Sequence, residues 1–249
     1  MNTISLIDQV AVVIGATGGI GAAVCRSLAG AGCRVAVAYR NDPEAAEALA
    51  RSLPGQDHAW MDADVTHSAS LSDLARRLGD RYGTVDILVN SAGMTRFVPH
   101  ADLDGLDDGL IDEIFRTNWR GPFATVRALR PLLERDGGGV VINISSIAGT
   151  SGVGSNVAYC ASKAALNTMT ISLARALAPA IRVVAICPGL VDTDFIQGLD
   201  PAWRQDQVSR TPLGRLVRPE EVGQAVVAAA TLTSSTGCCL TVDGGRLLA

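Results

Sequence analysis

The chain has 249 residues, 48% of them hydrophobic and 18% charged, with a formal net charge of −4. That length can bury one large core, and α/β units of this size are often single domains. The small net charge, without blocks of like sign, argues against nucleic acid or an anionic membrane as the main partner and leaves small molecules or other proteins.

At the start of the chain, Met1 to Asp8 lacks a basic stretch ahead of an apolar one. No later apolar run approaches the roughly 18 residues of a membrane span, so a soluble, cytoplasmic protein is expected. The first strand-like run, Val10 to Gly15, leads straight into Gly15-Ala16-Thr17-Gly18-Gly19-Ile20-Gly21 and an Ala-rich helical stretch. Glycines at a strand-to-helix turn permit close backbone approach, and the free N–H groups and dipole of the helix attract a pyrophosphate. This fits a dinucleotide site, although the spacing is G-x-x-x-G-x-G and not G-x-G-x-x-G.

The second run, Arg34 to Tyr39, ends at Arg40, where an NAD site would place an acid for the ribose 2′-hydroxyl. Arg40 suits a 2′-phosphate, which favours NADP(H); neighbouring Asp42 keeps NAD(H) open. A shorter strand is expected over His58 to Met61. Asp64 beyond it either accepts a bond from an adenine amino group or caps the next helix. Further runs follow at Val85 to Asn90, Val140 to Ser145, Ile181 to Cys187 and Cys238 to Val242. Continuous apolar strands alternating with helices predict one α/β domain over 1–249, a Rossmann-like doubly wound parallel sheet of about seven strands with helices on both faces.

Ser146 ends the fourth long run, and Tyr159-Cys160-Ala161-Ser162-Lys163 lies thirteen residues beyond it. Positions i and i+4 share a helix face, so the Lys163 ammonium is expected beside the Tyr159 phenol. A cation about 4 Å away lowers a phenol by a few pK units and makes it an acid or base near neutral pH. Residues 190–218 break the rhythm with Pro201, Pro212 and apolar Phe195, Ile196, Leu199 and Trp203. This stretch follows a strand's carboxyl end, which favours a substrate lid. Cys25, Cys33, Cys160, Cys187, Cys238 and Cys239 show no paired C-x-x-C spacing and mostly lie in apolar stretches, as buried free thiols would. No metal is expected.

In order, the Gly15 to Gly21 turn, Asp64-Val65, Asn90-Ser91-Ala92-Gly93, Asn118, Ser146, Tyr159-x-x-x-Lys163, Pro188-Gly189 with Thr193, and Val242-Asp243-Gly244-Gly245 match a known pattern. Over essentially its full length the chain resembles the short-chain dehydrogenase/reductase family. That resemblance implies carbonyl–alcohol interconversion by hydride transfer, with Tyr159 moving the proton and Ser146 holding the substrate oxygen. Lys163 would contact the nicotinamide ribose and stabilise the tyrosinate, and Asn118 would hold a water of the proton relay. Cofactor contacts carried over are Gly15, Thr17, Gly18, Gly19, Ile20, Gly21, Arg40, Asp64, Val65, Asn90, Ala92, Gly93, Tyr159, Lys163, Pro188, Gly189, Val191 and Thr193. A homotetramer or dimer is also implied.

Ile14, Ser91 and Val184 depart from the family's usual Thr, Asn and Asn, each removing a side-chain hydrogen bond worth about 1 kcal/mol unless repacking compensates. The stretch Leu232 to Gly237 is shortened. Carrier-protein reductases typically carry basic residues at the ends of two helices flanking the site. Here Asp136-Gly137 and Pro179-Ala180 stand there, with Arg130 and Arg135 nearby. Steering of an acidic protein would be weak, so a small or medium, partly apolar carbonyl or alcohol is the expected substrate. The alternatives are a 3-oxoacyl-[acyl-carrier-protein] reductase and, from another class, a nucleotide-binding regulator or scaffold without turnover. The latter would be marked by loss of a catalytic residue, and all four are present.

Overall fold

The computed structural model describes residues 6–135 and 137–248, with the backbone alone at Phe195. The expectations for Met1 to Ser5 and for Asp136 lie outside the described residues. In chain order the elements are β1 (Val10–Ile14), α1 (Gly19–Gly30), β2 (Arg34–Tyr39), α2 (Pro43–Ser52), β3 (Ala59–Asp62), α3 (Ser68–Tyr82), β4 (Ile87–Asn90) and α4 (Asp108–Phe115). A π-helical turn, Arg116–Arg120, leads into α5 (Gly121–Leu133). Then come β5 (Gly139–Ile144), α6 (Ala148–Ser151), α7 (Val157–Leu177), β6 (Ile181–Pro188), α8 (Asp194–Gln197), α9 (Pro201–Ser209), α10 (Pro219–Thr231), β7 (Cys239–Val242) and a 3₁₀ turn, Arg246–Leu248.

All seven strands pair in parallel in the order β3-β2-β1-β4-β5-β6-β7. Strand alternation divides the core. Ala11, Val13, Val140, Ile142, Val184 and Ile186 face one layer with α1, α2 and α10, while Val10, Val12, Ile14, Val141, Ile181 and Val183 face the other with α3, α5 and α7. Both faces are therefore covered, as continuous apolar strands require. Ile14 and Val184 are fully packed within these layers, so two of the three departures have become core.

The cysteine expectation changes. Cys25, Cys33, Cys160 and Cys187 are buried, but Cys238 and Cys239 are exposed, because β7 is the sheet's edge and apolar sequence alone does not reveal an edge. Residues 190–218 hold two short helices, of which α9 buries no residue. Leu199 and Trp203 are 37% and 39% exposed, while Ile196 is buried.

Arg182, at the amino end of β6, adds to the capping of α10. Its guanidinium donates to the carbonyls of Ala229, Ala230, Leu232 and Ser235 at 2.7 to 3.2 Å. Cationic donors at a helix carboxyl end satisfy both orphan carbonyls and the dipole. Arg182→Ala should cost about 2–3 kcal/mol, roughly 5–10 °C in melting temperature, while leaving turnover intact. Thermal unfolding checks the first part and steady-state kinetics the second.

Candidate active site

The strand order reverses between β1 and β4, and ligands of open α/β sheets bind in the crevice outside the carboxyl ends at that switch point. Three turns converge there: Gly15 to Gly19 after β1, Ser91 to Gly93 after β4, and Thr193 with Asp194 beyond β6. Gly15 has φ +74°, and a Cβ on it would lie 2.7 Å from the Ala92 backbone. Only glycine lets these two turns meet. A Cβ on Gly19 would likewise reach within 2.8 Å of Thr193 Cγ2. Between them lies a cavity of about 260 Å³ lined by Gly15, Gly18, Gly19, Ile20, Gly21, Ser91, Thr193 and Asp194. It opens on the amino end of α1, whose first turn carries no acid. Backbone N–H groups, glycine walls and a helix dipole fit a dinucleotide pyrophosphate.

The reacting groups are set by β5 and α7. Asn156, fully buried, caps α7 by accepting from Tyr159 N at 2.7 Å, and its Nδ2 donates to Arg96 O at 2.7 Å. One side chain thus starts the helix and ties it to the loop after β4. The Ser146 hydroxyl, which accepts from Ala148 N at 3.1 Å, lies near enough to the Tyr159 phenol to act on its proton affinity. Burial pushes the Tyr159 phenol up, and the Ser146 hydroxyl offsets this only in part. The expected lowering by Lys163 is therefore not what this arrangement gives. The Lys163 nitrogen lies 5.8 Å from the Tyr159 ring centroid, over its face, and donates to Ile144 O at 2.9 Å. Burial pushes that ammonium down to about 8, with Cys187 opposing weakly.

Asn118 sits in the π-helical turn, a feature frequent at functional sites. Its Oδ1 accepts from Met94 N at 2.8 Å, and its Nδ2 donates to Met94 O and Ser162 Oγ at 3.0 and 3.1 Å. Its side chain thus staples the loop after β4 to α7. Gly93 lies beside both relay groups, since a Cβ on it would stand 3.5 Å from Asn118 Oδ1 and 3.7 Å from Lys163 Nζ.

Other expected contact residues have the following partners within the chain. Asn90 Nδ2 turns into the sheet and donates to Asn143 Oδ1, while Asn143 Nδ2 donates to Thr170 Oγ1, each at 2.9 Å. This ladder joins β4, β5 and α7 under the site. The Asp64 carboxylate binds Thr66 N, Thr66 Oγ1 and His67 Nδ1 at 2.7 to 3.0 Å, which makes it a turn cap. Burial pushes it up, but those hydrogen bonds outweigh burial and leave it below the ordinary carboxylate value. Val65 packs against Gly121, Pro188 O accepts from Ile147 N, and Gly189 N donates to Val242 O. Val191 pairs with Val217, closing the neck of the 190–218 segment. Thr17, Gly18 and Arg40 are exposed at the sheet's carboxyl edge, and Asp42 caps α2 through a 2.8 Å bond from Ala45 N.

Sequence reasoning missed Asn156, whose signal was an Asn three residues before Tyr159 at a helix start. It also missed Gly154, on which a Cβ would lie 3.2 Å from Tyr159 Cδ1. The Asn143–Thr170 link had no local signal.

Comparison with known proteins agrees with this geometry. A family model described as Enoyl-(Acyl carrier protein) reductase matches residues 15–246. The protein named ketoacyl reductase 2 of the granaticin polyketide synthase in Streptomyces violaceoruber is 40% identical over 241 residues, 96% of each chain. Cis-4-hydroxycyclohexanecarboxylate dehydrogenase of Sinomonas cyclohexanicum is 36% identical over 243 residues, again 96% of each chain. A crystal structure from Burkholderia xenovorans, described as a short-chain dehydrogenase/reductase, superposes with TM-score 0.89 at 34% identity, covering 97% of this chain and 99% of that one. With the ordered motifs, the parallel seven-stranded sheet and these full-length matches together, the chain belongs to the short-chain dehydrogenase/reductase family of oxidoreductases acting on carbonyls and alcohols.

Proposed function

We propose that this chain is an NADP(H)-preferring oxidoreductase that interconverts a small or medium, partly apolar ketone and its secondary alcohol, with Tyr159 as the proton donor or acceptor. The observation that carries the reading is the meeting of Tyr159, Ser146 and Lys163 beside a glycine-walled cavity. A bound dinucleotide supplies or takes up the hydride. Ser146 and Tyr159 then offer two hydroxyls to the substrate oxygen, donors oriented before charge develops on it. Lys163, buried and near 8, holds the proton that replaces the one Tyr159 gives up. Asn118 holds the loop and helix that carry these groups in register.

Arg40 supports the cofactor preference, being exposed with no partner among the described residues, while Asp42 is committed to capping α2. Arg40→Asp should raise KM for NADPH by about tenfold or more, the worth of a charge-assisted bond to phosphate, and improve kcat/KM with NADH. Initial rates with both dinucleotides check this. Equal NADPH kinetics in the variant would remove Arg40 from the account.

For the substrate, Phe97 and Val153 are each 72% exposed on loops joined by the Thr95–Ser155 and Val98–Ser155 bonds beside Tyr159. They offer apolar contact at the mouth. Arg130 is tied to Glu134 and Arg135 to Gly83 O, which weakens the case for a basic docking patch. The ketoacyl reductase relative supports a second reading, a 3-oxoacyl thioester substrate. Oxidation of NADPH with a panel of ketones, sugars and acetoacetyl thioesters separates the two. A homo-oligomer is favoured by the exposed Trp119–Phe123 stack, at 6.2 Å between ring centroids, and by the open edge of β7.

A further inference from the structure

The segment from Val191 to Val217 closes on itself at its neck, where Asp192 N donates to Val217 O at 2.8 Å. At the neck, both carboxylate oxygens of Asp192 accept from Arg204 Nη2 of α9, at 2.7 and 2.8 Å. The next residue in the chain, Thr193, is the one that meets Gly19 and borders the dinucleotide cavity. One peptide link therefore separates this ion pair from the cavity wall.

α9 buries no residue, so no apolar face seats it on the domain. Polar clamps at its two ends take that role. At its far end Arg246 Nη2 donates to Gln207 Oε1 at 3.0 Å, and Leu213 N donates to Gly244 O at 3.0 Å. At the near end the clamp is Arg204 on Asp192, with side chains 38% and 26% exposed. A pair that is partly exposed is screened less than a fully exposed one. Arg204 Nε is buried without a partner among the described residues, so that nitrogen is turned away from water while Nη2 holds Asp192.

We propose that Arg204 is a positioning residue for cofactor retention: by gripping Asp192 it holds Thr193 against Gly19 and sets how often the 191–217 segment opens over the bound dinucleotide. The proposal rests on the dinucleotide reading above. Because a single nitrogen bridges both oxygens, a lysine can replace it in kind, whereas a methionine of similar reach cannot.

The test compares the unaltered protein with Arg204→Lys, Arg204→Met and the exchange Asp192→Arg with Arg204→Asp. NADPH release is followed by stopped flow, and amide hydrogen exchange over residues 194–209 is followed in the cofactor-free protein. Arg204→Met should release NADPH about tenfold faster and raise its KM by a similar factor, with kcat lowered less than about threefold. Its 194–209 amides should exchange faster, while Arg204→Lys and the exchanged pair stay within about threefold of the unaltered protein. Release and exchange both unchanged in Arg204→Met overturn the proposal, as does an equal loss in Arg204→Lys. If the unaltered protein bound no dinucleotide, the functional reading would fall, and the amide exchange would still decide whether Arg204 seats the segment.

Discussion

Tyr159→Phe should lower ketone reduction by about 10³-fold while changing the NADPH dissociation constant less than about twofold. The substitution removes one oxygen. It leaves the Asn156 cap on Tyr159 N and the packing of the ring against Gly154 in place, so the helix and the Lys163 position survive. What is lost is the hydroxyl proposed to share the substrate oxygen with Ser146. The pH profile adds a second readout. With the phenol pushed up by burial, the donor stays protonated through neutral pH, so reduction should be flat there and fall above about 8 as Lys163 loses its proton. Alcohol oxidation should rise over the same range, because it needs the proton acceptor. Steady-state kinetics with fluorescence titration of NADPH check both. A variant that keeps a tenth or more of its rate would remove Tyr159 from the chemistry.

Lys163→Met should make the cofactor-free protein more stable at pH 7 while lowering turnover by about 10²-fold or more. Lys163 is 5% exposed, and burial holds it at about 8 against an ordinary value of 10.5. Between those two values the unfolded chain binds the extra proton, so this group makes stability rise with pH from about 8 to 10.5. Below pH 8 the cost of the buried ammonium is complete, on the order of 3 kcal/mol. Removing the side chain also removes its bond to Ile144 O, worth about 1 kcal/mol, which leaves a net gain of about 2 kcal/mol. Denaturant unfolding of both proteins from pH 7 to 10.5 checks this. The expected result is a gap that closes as pH rises. Parallel curves, or a less stable variant at pH 7, would show that the ammonium is not under strain in its site.

How much of this was legible in the sequence follows the range of the interactions. Strands such as Val10 to Ile14 and Arg34 to Tyr39 were readable because a strand buried on both faces is apolar throughout, and the glycine turn because only glycine can bring Gly15 against Ala92. The candidate relay residues were readable because Tyr159 and Lys163 are one helical turn apart. The direction of the Lys163 nitrogen was not, since it depends on Ile144 O, 19 residues away, and on burial that spacing cannot express. The ladder from Asn90 through Asn143 to Thr170 joins residues 53 and 27 positions apart. Arg182 reads as an ordinary strand residue until α10 ends beside it. Asp64 is a third case: it closes a turn on Thr66 and His67 ahead of α3, a use that neither the adenine contact nor the helix cap expressed.

The most direct test of the central claim is transfer of label. NADPH carrying deuterium at the nicotinamide C4 should be incubated with the best ketone of the panel, and the alcohol product analysed by mass spectrometry. The account predicts one deuterium at the carbinol carbon in every product molecule for one of the two C4 epimers and none for the other. Alcohol formed without deuterium from either epimer, or NADPH bound with no alcohol formed from any carbonyl, would contradict it.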